Sequence, residues 1–352
     1  MTVRDWSETQ DDKCCYQPLE TDRSERYFND LFVASVASGS TYSNGVTISP
    51  DGIAFSDVYY DFGKNTLAER ICAGPNLPRP KSVDGNLAAI ATPGAERYFH
   101  FLFDALPRIG LLQGWKVDHF YVQSDQSYQA EYLELLGISA EQIVPAKALT
   151  HFRADQLLVP SFPGRVGYVT RRTCCFLRRL LTQVGSPVRE STCKIYISRS
   201  DATRRRVTNE SEVWNCLRGY GFDKVRLADM KVAEQIRLFA RASVVVGPHG
   251  AGLSNLVYSH PGTQVIELFS PKYVNECFEH LAGQCRLNYH SLVGVGSRPT
   301  EKKPRREKQN MRIDVRSLAE TIESILSRRM ALPGALPGRS VRSSSEIRCH
   351  VQ

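Results

Sequence analysis

Residues 243–268 read SVVVGPHGAGLSNLVYSHPGTQVIEL, and this stretch decides the fold. Three valines run into Gly247-Pro248-His249-Gly250-Ala251-Gly252. An amphipathic helix, a Pro-Gly turn and a second apolar strand ending near Glu267 follow. Apolar β-branched runs of this kind read as strands buried on both faces, and strand, helix and strand in succession read as a βαβ unit. Glycines between a buried strand and a helix start let backbone N–H groups close on an anion at the positive helix terminus. The acid that closes the next strand stands where nucleotide-binding α/β folds often hold a ribose. The glycine order is G-x-x-G-x-G, not the dinucleotide fingerprint, and the Lys-Ser/Thr of a phosphate loop is missing. Such clusters also make plain strand-to-helix connections, so the flanking chemistry has to decide.

Upstream, strand KIYIS (194–198) runs into Ser198-Arg199-Ser200-Asp201-Ala202-Thr203-Arg204-Arg205-Arg206. An arginine at the carboxyl edge of a strand suits a pyrophosphate, because its planar fork meets two oxygens and keeps its charge. Arg199 is the first candidate and one of Arg204–Arg206 the second. A helix follows, with Asn209 as its cap and Gly221 at its close, then strand 223–227 and helix 231–242. Beyond Glu267 the pattern predicts a helix near 274–282, strand NYHSLV (288–293) and a last helix over 315–326. In such sheets ligands sit beyond the carboxyl ends of the strands. Arg199, the glycine turn and Glu267 are therefore expected along one edge.

The first half also alternates. Strand-like runs at 31–38 and 45–63 precede a helical region over 95–113, kinked or broken near Pro107. Strand DHFYVQS (118–124), helix 127–137, short strands at 143–146 and 156–160 and a basic amphipathic helix over 170–184 follow. His100 and Asp104 are four apart, on one helix face amid Phe101, Leu102, Phe103 and Leu106. Charged groups inside so apolar a run are costly unless they are paired or face a cleft.

The chain has 352 residues, 42% of them apolar, and no stretch is long enough to cross a membrane. The first residues carry no apolar leader core, which makes a cytosolic protein the expectation. The net charge of +8 is concentrated: 298–312 hold seven basic and two acidic residues, and 328–352 hold five and one. The rest is close to neutral, which argues against nucleic acid as partner. The basic tail suits contact with an anionic inner membrane face. Ten cysteines include no CxxC pair. Cys277, His280, Cys285 and His290 fall across a predicted helix and strand, so zinc is not expected.

Three segments together resemble glycosyltransferase family 61, which includes capsular-polysaccharide-type enzymes and N-acetylglucosaminyl- and xylosyltransferases. They are HFLFDALPRIGLL (100–112), KIYISRSDATRRRVTNESEV (194–213) and FARASVVVGPHGAGLSNLVYSHPGTQVIEL (239–268). The resemblance implies an α/β, GT-B-like fold, two Rossmann-like lobes facing a cleft. It also implies a nucleotide-sugar donor, with a UDP-sugar favoured, a glycan or glycoconjugate acceptor, and inversion without a metal or other cofactor. By the same resemblance Arg199 and Arg204 are pyrophosphate ligands, Gly247, His249, Gly250, Ala251 and Gly252 form the donor turn, and Glu267 is the ribose acid. Asn255 reaches out from the first helical turn. Asp104 is the candidate base, with His100 as its partner or substitute, and His249 is a candidate for phosphate or the reacting sugar.

The expected organisation is a flexible segment (1–30), an acceptor lobe (31–187), a donor lobe (188–297), a basic loop (298–312), a helix (313–327) and a disordered tail (328–352). A nicotinamide-dependent epimerase would need GxGxxG, which is absent. Its Tyr-x-x-x-Lys spacing occurs at Tyr60/Lys64 and Tyr220/Lys224, each across a glycine. The remaining competitor is a non-catalytic nucleotide- or polyanion-binding Rossmann-like protein.

Overall fold

The computed structural model describes residues 2–4, 14–19, 31–60, 77–185, 193–296 and 309–331. Gly185 closes a helix, but the linker expected around Pro187, most of the basic loop and the tail beyond 331 lie outside the described residues, as does most of 1–30.

The first sheet is mixed. Strands β2 (Cys14–Leu19), β3 (Leu31–Ala37), β4 (Ser40–Tyr42), β5 (Val46–Ile48) and β6 (Ile53–Phe55) build its antiparallel side, and β1 (Thr2–Arg4) adds parallel to β6 at the edge. They join β7 (Lys81–Ala89), β8 (His119–Val122), β9 (Ile143–Pro145) and β10 (His151–Pro160). Those four are mutually parallel in the order β10-β7-β8-β9, and β3 and β4 pair antiparallel to β10.

The second sheet is all parallel. It holds β11 (Cys193–Ile197), β12 (Asp223–Val225), β13 (Ala242–Pro248), β14 (Gln264–Phe269) and β15 (Asn288–Val293), in the order β12-β11-β13-β14-β15. The first connection runs to one side of β11 and the rest to the other, which opens a crevice between the carboxyl ends of β11 and β13. Arg199 follows one of those ends and the glycine turn follows the other.

Alternation along the strands divides the core. On one face Tyr196, Val244, Val246, Ile266 and Leu268 pack under helices α3 (Glu210–Gly219) and α6 (Val315–Ala331). On the other, Ile195, Ile197, Val245 and Val265 share one cluster with Phe101, Leu106, Tyr132 and Leu177. That cluster also takes in Ala88, Ile90 and Val122 of the first sheet, so one apolar core joins the two sheets. Helix α1 (Ser127–Leu135) touches α4 (Val232–Arg241), and Glu131 accepts the Val232 N–H at 2.6 Å. The last helix runs four residues beyond 327, so the segment expected to be tail begins as helix.

Two helices differ from the periodicity. The region over 95–113 is composite: α-helical at Tyr98–His100, π-helical at Phe101–Ala105, α-helical at Leu106–Ile109 and 3-10 at Gly110–Leu112. Pro107 has no N–H to donate, and the wide turn lies just before it. The segment after the glycine turn, Ala251–Tyr258, is a 3-10 helix and not an amphipathic α-helix. Leu253 to Tyr258 are all buried, so this segment threads the core with no solvent face to impose a 3.6-residue repeat.

Arg108, 1% exposed, staples the first sheet. Its Nη1 donates to the carbonyls of Ile90 and Ala91 at 3.0 Å each, and its Nε and Nη2 donate to that of Pro160 at 3.0 and 2.6 Å. These carbonyls lie just past the end of β7 and at the end of β10, where the ladder no longer supplies them with partners. Burial lowers the guanidinium to about 9, still charged at neutral pH. Arg108→Met strands all three acceptors and is expected to cost about 2–3 kcal/mol, read as a lower urea midpoint.

Candidate active site

The carboxyl ends of β11, β13 and β14 lie side by side: Tyr196 pairs with Val246, and Gly247 with Glu267. Below the edge, Glu210 gathers Ser198 Oγ at 2.7 Å, Tyr196 Oη at 3.2 Å and Lys224 Nζ at 3.1 Å, which fixes the strand end from which Arg199 leaves. The Arg199 guanidinium packs against Gly250. A Cβ built on that glycine would sit 2.1 Å from Nη1 and 2.8 Å from Cζ. Gly250 is thus required by close approach; its backbone is extended at φ 169.

Arg199 Nη2 reaches only the Arg204 carbonyl, at 3.4 Å, and its buried Nε has no hydrogen-bond partner among the described residues. Burial first, and then the neighbouring Arg205, lower it to about 10. A partly buried cation beside other cations and short of acceptors is a site for an anion.

Arg204, expected as the second ligand, has an exposed side chain. Arg205 is the residue that turns in. Its φ of 55 is left-handed, and its guanidinium stands 6.0 Å from the Tyr273 ring centroid. Three consecutive arginines carry no signal saying which one takes the left-handed turn.

His249 is 5% exposed, and its Nδ1 lies 2.5 Å from Glu267 Oε1. Its ring stacks on Phe269 at 5.2 Å and meets Tyr273 and Phe278 at 5.3 and 5.4 Å. Glu267, expected on the open edge, is fully buried, and Tyr289 donates to its other oxygen at 2.7 Å. Asn255 also sits behind the turn. It is fully buried, accepts from Tyr98 Oη at 2.8 Å and donates to Gln235 at 2.9 Å.

On the composite helix, His100 Nδ1 and Asp104 Oδ2 are 2.7 Å apart. The imidazole is the more open member, with 17% of its side chain exposed against 8% for the carboxylate. Burial raises Asp104 above the ordinary carboxylate range, and the bond to His100 opposes the shift. Phe99 packs edge-on to His100 at 5.3 Å and to Phe278 at 5.8 Å, and Phe278 in turn packs on His249. The His–Asp pair of the first half and the His–Glu pair of the second are therefore joined through two aromatic rings.

Comparison with known proteins meets this geometry. The sequence profile of the family described as Glycosyltransferase 61 matches residues 98–266. Residues 98–266 are thus similar to glycosyltransferase family 61. A beta-1,2-xylosyltransferase of Oryza sativa subsp. japonica is 35% identical over 106 residues, covering 28% of this chain and 20% of that protein. A beta-1,2-xylosyltransferase of Arabidopsis thaliana is 33% identical over 106 residues, covering 26% and 20%. The chain thus matches about a fifth of the length of these relatives.

The matched segment begins two residues before His100 and ends one residue before Glu267. Tyr273, Phe278 and Tyr289 lie beyond it; only the alternation of NYHSLV marked Tyr289, and nothing marked Tyr273. Among the described residues no three His, Cys, Asp or Glu side chains stand together as a metal site. Cys285 meets Cys174 at 3.7 Å and His280 meets the Val169 carbonyl, so the sequence grouping around Cys277 is not assembled.

A tyrosine chain ties the two ends of the matched segment. Tyr258 donates to Tyr132 at 3.2 Å, Tyr132 and Tyr98 share a bond of 2.8 Å, and Tyr98 donates to Asn255. Burial holds all three phenols well above their usual range, so they stay neutral. Tyr98→Phe leaves the Asn255 acceptor buried and unpaired, and is expected to lower stability by about 1–2 kcal/mol in urea unfolding.

Proposed function

We propose that this chain transfers a sugar from a nucleotide-sugar donor to a glycan or glycoconjugate hydroxyl, across a GT-B-like pair of lobes. One observation carries the reading: a partly buried Arg199 laid on Gly250 at the crevice between β11 and β13. In this proposal Arg199, Arg205 and His249 meet the donor diphosphate, while Ala251 and Gly252 line the turn that admits it. The acceptor oxygen attacks the anomeric carbon as the bond to the diphosphate breaks, which inverts the centre. Its proton passes to the His100–Asp104 pair, with His100 as acceptor and the more buried Asp104 fixing the ring. The arginines and His249 offset the charge of the leaving diphosphate, so the reaction calls for no metal. The relatives named for β-1,2-xylosyl transfer put a UDP-pentose first among donors to try.

The test is a panel of UDP-, GDP- and CMP-sugars, scored by thermal shift and donor hydrolysis on the full chain. A rise in Tm with one base and slow hydrolysis of its sugar is the expected result. No response to any nucleotide sugar or free nucleotide sinks the proposal. Stabilisation without hydrolysis or transfer to any acceptor leaves the binding protein as the better reading.

A further inference from the structure

Strand register explains why Glu267 is not on the open edge. Gly247 is opposite Glu267, and Val265 is opposite Tyr289. His249 is two residues past Gly247, and Glu267 two past Val265, so all three side chains leave the same face of the sheet. There they form a file across β13, β14 and β15: His249 Nδ1 to Glu267 Oε1, and Tyr289 Oη to Glu267 Oε2. Both carboxylate oxygens are engaged. Among the described residues, His249 Nε2 makes no hydrogen bond.

We infer that Glu267 and Tyr289 are positioning residues that hold the His249 imidazole with Nε2–H presented to the donor diphosphate, and that the acid closing β14 serves the histidine and not a ribose. The inference rests on the donor reading above. A buried carboxylate bonded to Nδ1 favours a ring protonated on both nitrogens, so Nε2 carries a proton of its own and faces outward. Three rings around the imidazole restrict the other ways it could turn. Tyr289 completes the arrangement: burial and the Glu267 carboxylate hold its phenol protonated, so it donates and keeps the carboxylate from swinging. Nearby Cys277 is pushed up to about 12, first by burial and then by Glu267, and so adds no competing charge. No proton leaves His249 in this role; it donates a hydrogen bond to a phosphate oxygen as the sugar–oxygen bond breaks.

Glu267→Gln and Tyr289→Phe are compared with the wild-type chain by two measurements. Nitrogen NMR reads whether Nδ1 and Nε2 of His249 both carry protons in the free protein, and calorimetry reads binding of inorganic pyrophosphate, UDP and GDP. The expected result for Glu267→Gln is loss of the doubly protonated His249 ring, with pyrophosphate and the preferred nucleotide each bound about tenfold more weakly. Tyr289→Phe removes one hydroxyl and is expected to weaken both by about threefold with little change in Tm. This second variant keeps the test alive if the glutamine variant folds poorly. Unchanged pyrophosphate binding with weakened nucleotide binding is the signature of a ribose ligand and overturns the inference. So do variants that bind both probes as the wild type does. A wild-type chain that binds neither probe sinks the donor reading itself, a distinct result.

Discussion

Replacing Arg199 by alanine is expected to weaken donor binding by about a hundredfold. Each charge-assisted bond from a guanidinium contributes about 1.5–3 kcal/mol, and every 1.4 kcal/mol is a factor of ten in affinity. Isothermal titration with the nucleotide chosen by the donor screen reads the change. Lysine at the same position keeps the charge and loses the fork, and is expected to recover only part of the loss. The sharper variant is Gly250→Ala. Its backbone is extended, so alanine adds no strain, but the new Cβ occupies the place of the Arg199 guanidinium. Because the far end of a side chain can move aside, Tm should hold while binding falls with that of Arg199→Ala. Combining the two substitutions should add little, since both remove one contact. Donor binding unchanged in Gly250→Ala would show that the anion does not rest there.

His100→Ala is expected to lower transfer by between about a hundredfold and ten-thousandfold while donor affinity stays within about twofold. Catalysis by a base appears in turnover, because the proton moves only in the transition state. Asp104→Asn keeps the shape of the pair, but its amide can donate to the ring and favour the wrong tautomer. Its loss should be substantial and, again, confined to turnover. Asp104 is already raised by burial, so once His100 is gone it takes up a proton more readily than an exposed acid, which limits the cost to folding. Full turnover in either variant places the base elsewhere. Loss of donor binding in both would instead make this pair part of the donor pocket.

Much of the second half was legible in its residues. KIYIS, SVVVG, TQVIEL and NYHSLV appear as β11, β13, β14 and β15, because apolar runs in a covered parallel sheet have few other fates. The junctions were less so. Nothing local distinguishes a π-turn at Phe101–Ala105 from an ordinary helical turn, since the wide turn depends on how the chain approaches Pro107 within a packed core. After the glycine turn the apolar content suggested an amphipathic helix. Burial on every side made it a 3-10 segment.

The site divides along the same line. His100 with Asp104, and Arg199 with the glycine turn, are short-range patterns: spacing on one helix, and residue type at a strand end. The file of His249, Glu267 and Tyr289 depends on which residues of three neighbouring strands lie opposite one another, and strands 264–269 and 288–293 carry no mark of that register. Arg205 against Arg204 turns on the sign of one backbone angle. The chain read alone establishes buried parallel strands, a glycine turn at the carboxyl end of one of them and a resemblance to glycosyltransferase family 61, because each follows from patterns among near neighbours. Which acid faces a ligand and which stands behind a histidine follows from strand order and register, and these arise only when distant segments pack.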